Sequence, residues 1–328
     1  MRLLILTVFF LVVADTAIHA QTCGEACCGS SIVSECDYCQ CSQSISPSQT
    51  GSTGVRLDVR SLYRGKLYNG SILQSNPENI HETYLTDQIM GFYRFSESDI
   101  SASLYVPYVS RESFEPLLGI KTSGIGDISV LVHYNYQDMM AELPFMLSTN
   151  LGVKLPTGFH EMSLSDGRYI DPHIRAGSGT TDVLVGLSGK IHISDFTIGS
   201  SINAGIIAAG GAPDSGGIHK FGNYFTTEIS FGYSLFSQPS SGINLSSMIT
   251  IGGETHAKET LGGDLVTASG ETLLYISPGI EYHFSQNISA DISIQLPIYQ
   301  YEGWDSATDE GQLGQNYRIV LGLQYIVR

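Results

Sequence analysis

The sequence predicts an all-β protein: an antiparallel transmembrane β-barrel of about twelve strands that follows a short cysteine-rich N-terminal extension. Three observations predict this fold. Apolar residues recur at every second position from residue 53 onward, short and long connections alternate along the chain, and charged residues gather on one face of the predicted strands. A period of two is the signature of a strand whose two faces meet different surroundings.

The composition excludes several other classes of protein. Charged residues make up 15% of the 328 residues, against about 25% in an ordinary soluble domain. Asp and Glu (32) outnumber Lys and Arg (16), which gives a net charge of −16 and argues against binding to nucleic acid. Beyond the first twenty residues, no apolar run reaches the length of about 18 residues that a spanning helix requires.

The first element, residues 1–20, is predicted to be a secretory signal peptide. Arg2 supplies the positive start, Leu3 to Val13 form the apolar stretch, and cleavage is expected before Gln21. The mature chain is therefore expected to be exported.

The second element, residues 21–52, is predicted to be a periplasmic extension and linker that carries every cysteine of the chain. An oxidising compartment favours three disulfides. Soft thiolates at this spacing could instead bind zinc, copper or an iron–sulfur unit, which would make a metal the one possible cofactor. Both interpretations involve the same residues: Cys23, Cys27, Cys28, Cys36, Cys39 and Cys41.

The third element, residues 53–328, is predicted to be the barrel. Ladders such as Ile100 to Tyr108 and Ile128 to Tyr136 place apolar side chains at alternate positions. Twelve such segments can be counted, and most exceed the average of about 5–6 residues for a strand in a soluble protein. A tilted strand that crosses a bilayer needs about 9–11 residues.

Three prolines fall inside the predicted strands, where each removes a ladder donor, so a bulge is predicted at each of them. They are Pro107, Pro278 and Pro297.

The connections between these strands differ in length in a regular way. Short turns at 96–99, 193–195 and 285–287 alternate with long segments, which are 65–83, 109–123, 156–178, 209–221, 253–271 and 300–314. Barrels of the outer membrane have short periplasmic turns and long external loops. The pattern therefore predicts the outer membrane of a Gram-negative-type cell, with the N-terminal extension in the periplasm.

Charged residues on the predicted inner face are expected to line the lumen, because a charge that faces lipid costs about 2–4 kcal/mol for Arg or Lys at the midplane. Six basic and six acidic residues balance there, which predicts a narrow, ion-paired lumen with weak selectivity. The same pairs could equally serve only to stiffen the wall. The predicted lumen residues are Arg56, Asp58, Arg60, Arg94, Asp127, Lys154, Asp182, Lys190, Glu228, Glu281, Asp291 and Arg318.

The excess negative charge falls in the last two long connections. These segments are expected to be solvated surface loops that could attract divalent cations or cationic solutes. The residues concerned are Glu254, Lys258, Glu259, Asp264, Glu271, Glu302, Asp305, Asp309 and Glu310.

Three glycine-rich motifs resemble an outer-membrane protein family described as transporter-like, or phenol meta-pathway degradation-like. They are Gly124 to Asp127, Leu151 to Gly158 and Gly177 to Asp182, and the specific match spans roughly residues 121 to 192. The resemblance implies a barrel of about twelve strands that passes small solutes, aromatic compounds among them. Glycine-rich motifs permit tight entry from a loop into a strand, so they bear on fold more than on substrate.

The function expected from these observations is a channel or transporter for small solutes, with hydrophobic or aromatic compounds among the candidate solutes. Two alternatives remain open: a filled barrel that binds metal or a redox partner through its N-terminal cysteines, and a structural or adhesive surface protein. Expected partners are membrane lipid, small solutes, the barrel-assembly machinery and a periplasmic protein, with no nucleic acid. No nucleophile elbow, phosphate loop or metalloprotease motif occurs, so no enzymatic activity is expected.

Overall fold

The structure, a computed structural model, describes residues 53–95, 99–114, 119–136, 145–161, 163, 170–238, 242–303 and 312–327. Its main feature is a closed antiparallel barrel of twelve strands, which confirms the predicted fold class. The predicted signal peptide and cysteine-rich extension lie outside the described residues. Within the described part, no helix has the length and apolar character needed to cross a membrane.

The barrel wall is a meander in which each strand pairs with the next and the last pairs with the first. The barrel strands are β1 (Thr53–Asn69), β3 (His81–Arg94), β4 (Ile100–Phe114), β5 with β6 (Ile120–Ile125 and Ile128–Asn135), β7 (Phe145–Leu155), β8 (Thr180–Ile193), β9 (Phe196–Gly210), β12 (Tyr224–Gln238), β13 (Ile243–His256), β16 (Glu271–His283), β17 (Ile288–Glu302) and β18 (Gln312–Val327). β1 and β18 close the wall with Val55 opposite Tyr325 and Arg60 opposite Val320.

Two ends of the barrel are distinguished by their connections. At the short-turn end, β8 passes to β9 and β16 to β17 through a few residues; the opposite, long-loop end carries the longer connections. Many strands continue beyond their predicted limits toward the long-loop end. β1 reaches Asn69, although residues from 65 onward were expected to be a loop. It stays paired with β18 as far as Tyr68, even though the side chains from 65 to 69 are all half-buried and no longer alternate.

The outer face is apolar, as a lipid-facing surface must be. Leu57, Ile89, Val132 and Leu323 are among many large side chains exposed along the wall. Exposed aromatic rings gather near both ends of the strands: Phe196, Tyr233, Phe284 and Tyr325 at the short-turn end, and Tyr108 and Tyr317 toward the other. Such rings mark the interfaces of membrane barrels.

The inner face alternates with the outer one, and its side chains are buried or half-buried. Along β1 the positions from Gly54 to Arg64 alternate between buried and exposed or half-buried. An apolar cluster fills part of the interior and consists of Met90, Phe92, Tyr105, Leu131, Leu184 and Tyr224. Gly205 makes room for one of these rings, since a Cβ on this glycine would lie 1.9 Å from the ring of Tyr224.

Prolines inside strands were expected to cause bulges, because each removes a ladder donor. β17 shows a register shift beside Pro297, and near Pro107 the partner strand is interrupted at Gly126 and Asp127. At Pro278 the expectation is wrong: the register between β13 and β16 continues through this residue unchanged.

The long-loop end has additional structure. β10 (Ala212–Asp214), β11 (Gly217–Lys220), β14 (Thr260–Leu261) and β15 (Asp264–Leu265) form a second sheet of four strands. The short strand β2 (Ile72–Gln74) folds back on β1. The segment 170–178, which contains a 3-10 turn at Pro172–Ile174, is buried almost throughout.

Candidate functional site

Ion pairs cross the interior beside β1. The guanidinium of Arg56 lies between two carboxylates, with Nε 2.7 Å from Asp58 Oδ1 and Nη1 2.8 Å from Asp291 Oδ1. Arg60 lies on the other side of Asp58, with 3.7 Å between Arg60 Nη2 and Asp58 Oδ2. Arg56, Asp58 and Arg60 are at most 3% exposed. Charges that are buried in this way require partners, and the cross-strand arrangement provides them.

A second buried pair joins neighbouring strands. Lys154 on β7 stands directly opposite Asp182 on β8, with 2.5 Å between Lys154 Nζ and Asp182 Oδ2. Arg318 Nη1 lies 3.5 Å from Glu254 Oε2.

The remaining predicted lumen residues differ in their surroundings. Arg94 is 4% exposed near the short-turn end, and Glu228 is buried and accepts a hydrogen bond of 2.5 Å from the Tyr275 hydroxyl. Lys190 and Glu281 are half-buried.

Several charged residues lie on the inner face although the sequence did not predict them there. Arg64 lies 2.5 Å from Glu271 and 3.5 Å from Glu302. Glu254, Glu259 and Glu302 were expected in solvated loops, yet each is at most 4% exposed. The signal that could have placed Arg64 and Glu254 inside is the phase of the period-two ladder, which runs unbroken through both.

A polar cavity of about 370 Å³ occupies the short-turn half of the barrel. Ser194 and Asp195 of the β8–β9 turn line it, so the cavity reaches the short-turn end. Many of its lining residues carry small hydroxyl side chains, including Ser148, Ser188, Ser200, Ser201, Ser230, Ser234, Ser246 and Ser247. Lys190, Glu228 and Glu281 supply its charges from the wall strands.

At the long-loop end, Asp127 fixes an inward-folded segment. Its carboxylate accepts hydrogen bonds from the Gly158 N–H (2.9 Å), the Ser178 N–H (2.8 Å) and the Ser178 hydroxyl (2.6 Å). Gly158 and Gly177 touch backbone to backbone at the same point. The three glycine-rich motifs therefore meet here, and Asp127 anchors the loop rather than standing free in a water-filled lumen.

Two arginines that were not among the predicted lumen residues complete this arrangement. Arg111, on the inner face of β4, donates to the carbonyl oxygens of His173 (2.9 Å) and Arg175 (2.6 Å). Arg175 is itself fully buried and donates to the carbonyls of Ile170 and Pro213. Segment 170–178 is thus held against the inside of the barrel, and we call it the inner loop.

Three loops meet beside the inner loop. His173 Nε2 lies 3.1 Å from both carboxylate oxygens of Glu259, and His219 Nε2 lies 2.9 Å from Glu259 Oε2. Burial alone would lower the pKa of His173, but the carboxylates of Glu259 and Asp171 outweigh it and raise this pKa well above its usual range. Burial alone would raise the pKa of Glu259, but His173 and His219 bring it down to about 2. Glu259 was predicted only as an acidic loop residue, and neither histidine was among the predicted site residues.

Solved structures with a similar fold are outer-membrane barrels. An outer membrane channel from Pseudomonas putida F1 superposes with a TM-score of 0.67 at 14% identity, covering 85% of this chain and 96% of that one. The beta domain of the Bordetella autotransporter BrkA gives a TM-score of 0.50 at 12% identity, covering 84% and 99%. No family model matches the chain, and no curated protein matches its sequence. The class of protein is therefore an outer-membrane-type β-barrel, and the fold that the family resemblance implied is confirmed.

Proposed function

We propose that this protein is an outer-membrane channel for small solutes, oriented with its short turns and N-terminal extension in the periplasm. The observation that carries the proposal is the polar cavity inside a closed barrel whose outer face is apolar. A barrel with a polar interior and an apolar exterior is suited to moving polar or amphipathic solutes across a lipid bilayer. The partners in this proposal are membrane lipid, the solute, the assembly machinery that inserts barrels and a periplasmic protein that the extension would contact.

The path would be narrow and ion-paired. Arg60 and Lys154 on the inner wall are at most 2% exposed, and Met90 and Leu131 are fully buried. Twelve strands lie between the eight of filled barrels and the sixteen of wide porins. Buried ion pairs such as Arg56 with Asp58 and Asp291 support weak selectivity, since both signs of charge are present.

The solute is proposed to be hydrophobic or aromatic. The interior offers an apolar cluster that includes Phe92 and Tyr105, in addition to the serine-lined cavity. Mostly apolar surroundings with a few polar groups are typical of sites for small organic molecules.

A second candidate is a filled barrel that works by binding rather than by passage. The observation that favours it is the same tight interior, together with the inner loop held by Arg111 and Asp127. In this case, solute permeation would stay at background in every variant, including those that release the loop.

The deciding experiment is permeation through proteoliposomes and planar bilayers with the full chain. The wild type should give small conductance steps, and Arg111→Met or Asp127→Ala should enlarge them because the inner loop loses its anchors. Asp264→Asn serves as the matched control, since this carboxyl is exposed on β15 and should leave the steps unchanged.

Two results would contradict the channel proposal. Background permeation of the wild type and of both loop variants would leave only the binding candidate. If the wild type conducts as strongly as a wide porin, the proposal of a narrow, ion-paired path is wrong. No catalytic role is proposed for any residue of the barrel.

A further inference from the structure

We propose that His173, His219 and Glu259 form a binding site for a divalent transition-metal ion, of which Zn²⁺ is the expected type, that fastens three loops across the long-loop end. Two imidazole nitrogens and one carboxylate are the ligand set that proteins use for Zn²⁺ when a further position is left to water.

The geometry of the three side chains suits one ion. One ligand atom from each residue can be chosen so that all lie within 4.8 Å of one another, and the closest contacts are 2.9 and 3.1 Å. Ligands at about 2.0–2.1 Å from a tetrahedral zinc stand a little over 3 Å apart, so the two histidine-to-carboxylate distances are already close to those of a zinc site. The three residues are at most 4% exposed, which shields the site from competing water.

The surroundings orient the ligands as they do in metal sites. Asp171 Oδ1 lies 2.6 Å from His173 Nδ1, so the carboxylate would hold the proton on Nδ1 and keep Nε2 directed toward Glu259, where an ion would bind. A carboxylate behind a histidine ligand is the common outer shell of zinc. The ring of Phe221 packs edge to face against both imidazoles, with centroids 5.4 Å from His173 and 4.8 Å from His219.

A neighbouring cluster of similar composition is less suited to bind a metal ion. Glu254, His256 and Glu271 also converge, but Arg318 lies 3.5 Å from Glu254 and Arg64 lies 2.5 Å from Glu271. These guanidinium groups already neutralise the carboxylates and would repel a cation. The structure therefore favours the first group as the metal site.

The ligands come from three separate connections. His173 belongs to the inner loop, His219 to β11, and Glu259 to the segment that follows β13. One ion would thus cross-link the loop inside the barrel with the second sheet above it. If the barrel is a channel, as proposed above, the bound ion would keep its long-loop end closed.

The test compares metal content in the full chain, purified in detergent and stripped with a chelator. The variant His173→Gln/His219→Gln should bind one Zn²⁺ less than the wild type. The matched control is His192→Gln/His283→Gln, two histidines at the short-turn end, which should bind as the wild type does. All three proteins keep the six N-terminal cysteines, so metal on the cysteines cancels in the comparison.

Two further measurements make the result specific. Co²⁺ added to the wild type after alkylation of the cysteines should give visible d–d bands that the His173→Gln/His219→Gln variant lacks. Asp171→Asn should weaken zinc affinity roughly 10- to 100-fold without removing the site. Folded barrels migrate faster in gels before heating than after heating. The presence of this shift in each variant shows that the variant is folded.

Equal zinc content in the wild type and in a folded His173→Gln/His219→Gln variant would overturn the proposal, whether or not the barrel conducts. In bilayers, zinc should lower the conductance of the wild type and leave that variant unaffected. A barrel that binds zinc through these residues but never conducts would refute the channel proposal and leave the metal site intact.

Discussion

Asp127 shows how one side chain can fix a whole loop. The interruption between β5 and β6 places its carboxylate where the wall would otherwise continue, and the carboxylate accepts three hydrogen bonds from Gly158 and Ser178. An unpaired buried donor costs about 1–3 kcal/mol, so the two backbone N–H groups need this acceptor. The backbone contact of Gly158 with Gly177 makes the approach possible.

The first prediction concerns that backbone contact. Gly177→Ala would place a Cβ 2.5 Å from the carbonyl carbon of Gly158. This carbon belongs to the backbone, so no side-chain rotation can relieve the clash. We expect the packing of the inner loop to lose about 1–3 kcal/mol, the usual cost of overpacking. Limited proteolysis of the folded protein should then cut the connection between β7 and β8 faster than in the wild type.

Gly91→Ala is the control for this experiment, because a Cβ at Gly91 meets nothing within 4 Å. Its proteolysis should match that of the wild type. Equal rates for Gly177→Ala and Gly91→Ala would mean that the glycine contact does not hold the inner loop.

At the scale of elements, the β7–β8 hairpin brings Lys154 and Asp182 into direct opposition inside the wall. Both side chains are at most 2% exposed. Removing one member of such a pair leaves a buried charge, which is more costly than removing both. The pair therefore couples the two strands more strongly than a surface pair could.

A double-mutant cycle tests this coupling. Lys154→Met should destabilise the barrel by about 3–5 kcal/mol, and Lys154→Met/Asp182→Asn should cost less than the sum of the two single changes. The measurement is denaturant-induced unfolding from lipid vesicles. The matched cycle is Lys121 with Glu112, an exposed pair 3.1 Å apart, whose coupling should stay below about 1 kcal/mol. Comparable coupling energies in the two cycles would show that burial does not strengthen the Lys154–Asp182 ion pair.

The strands themselves could be predicted because the wall has two different faces. Their ends could not, since beyond the apolar band both faces become polar and the signal fades. β1 therefore continues to Asn69, and β4 and β5 form a hairpin in the stretch 109–123 that was expected to be a long loop.

For the whole molecule, the ladder phase predicts which charges lie inside but not which of them meet. Arg64 contacts Glu271, 207 positions away along the chain, and only closure of the barrel brings them together. The junction of His173, His219 and Glu259 has no signal in the long ladders, because its residues come from three separate connections between wall strands. Composition could suggest cation binding by acidic loops, but it could not supply the two histidines.

The last prediction concerns the charge balance of the cavity that a solute would cross. Lys190 and Glu281 both line this cavity, and they carry opposite charges. Both side chains are half-buried, and Glu281 lies 3.1 Å from His283. Because field lines concentrate in a narrow polar cavity, neutralising one charge should change ion preference. In bilayers under a salt gradient, the wild type should show a small reversal potential. Lys190→Gln should shift it toward cation selectivity and Glu281→Gln toward anion selectivity. A strongly selective wild type, or shifts of the same sign in both variants, would contradict a balanced lumen.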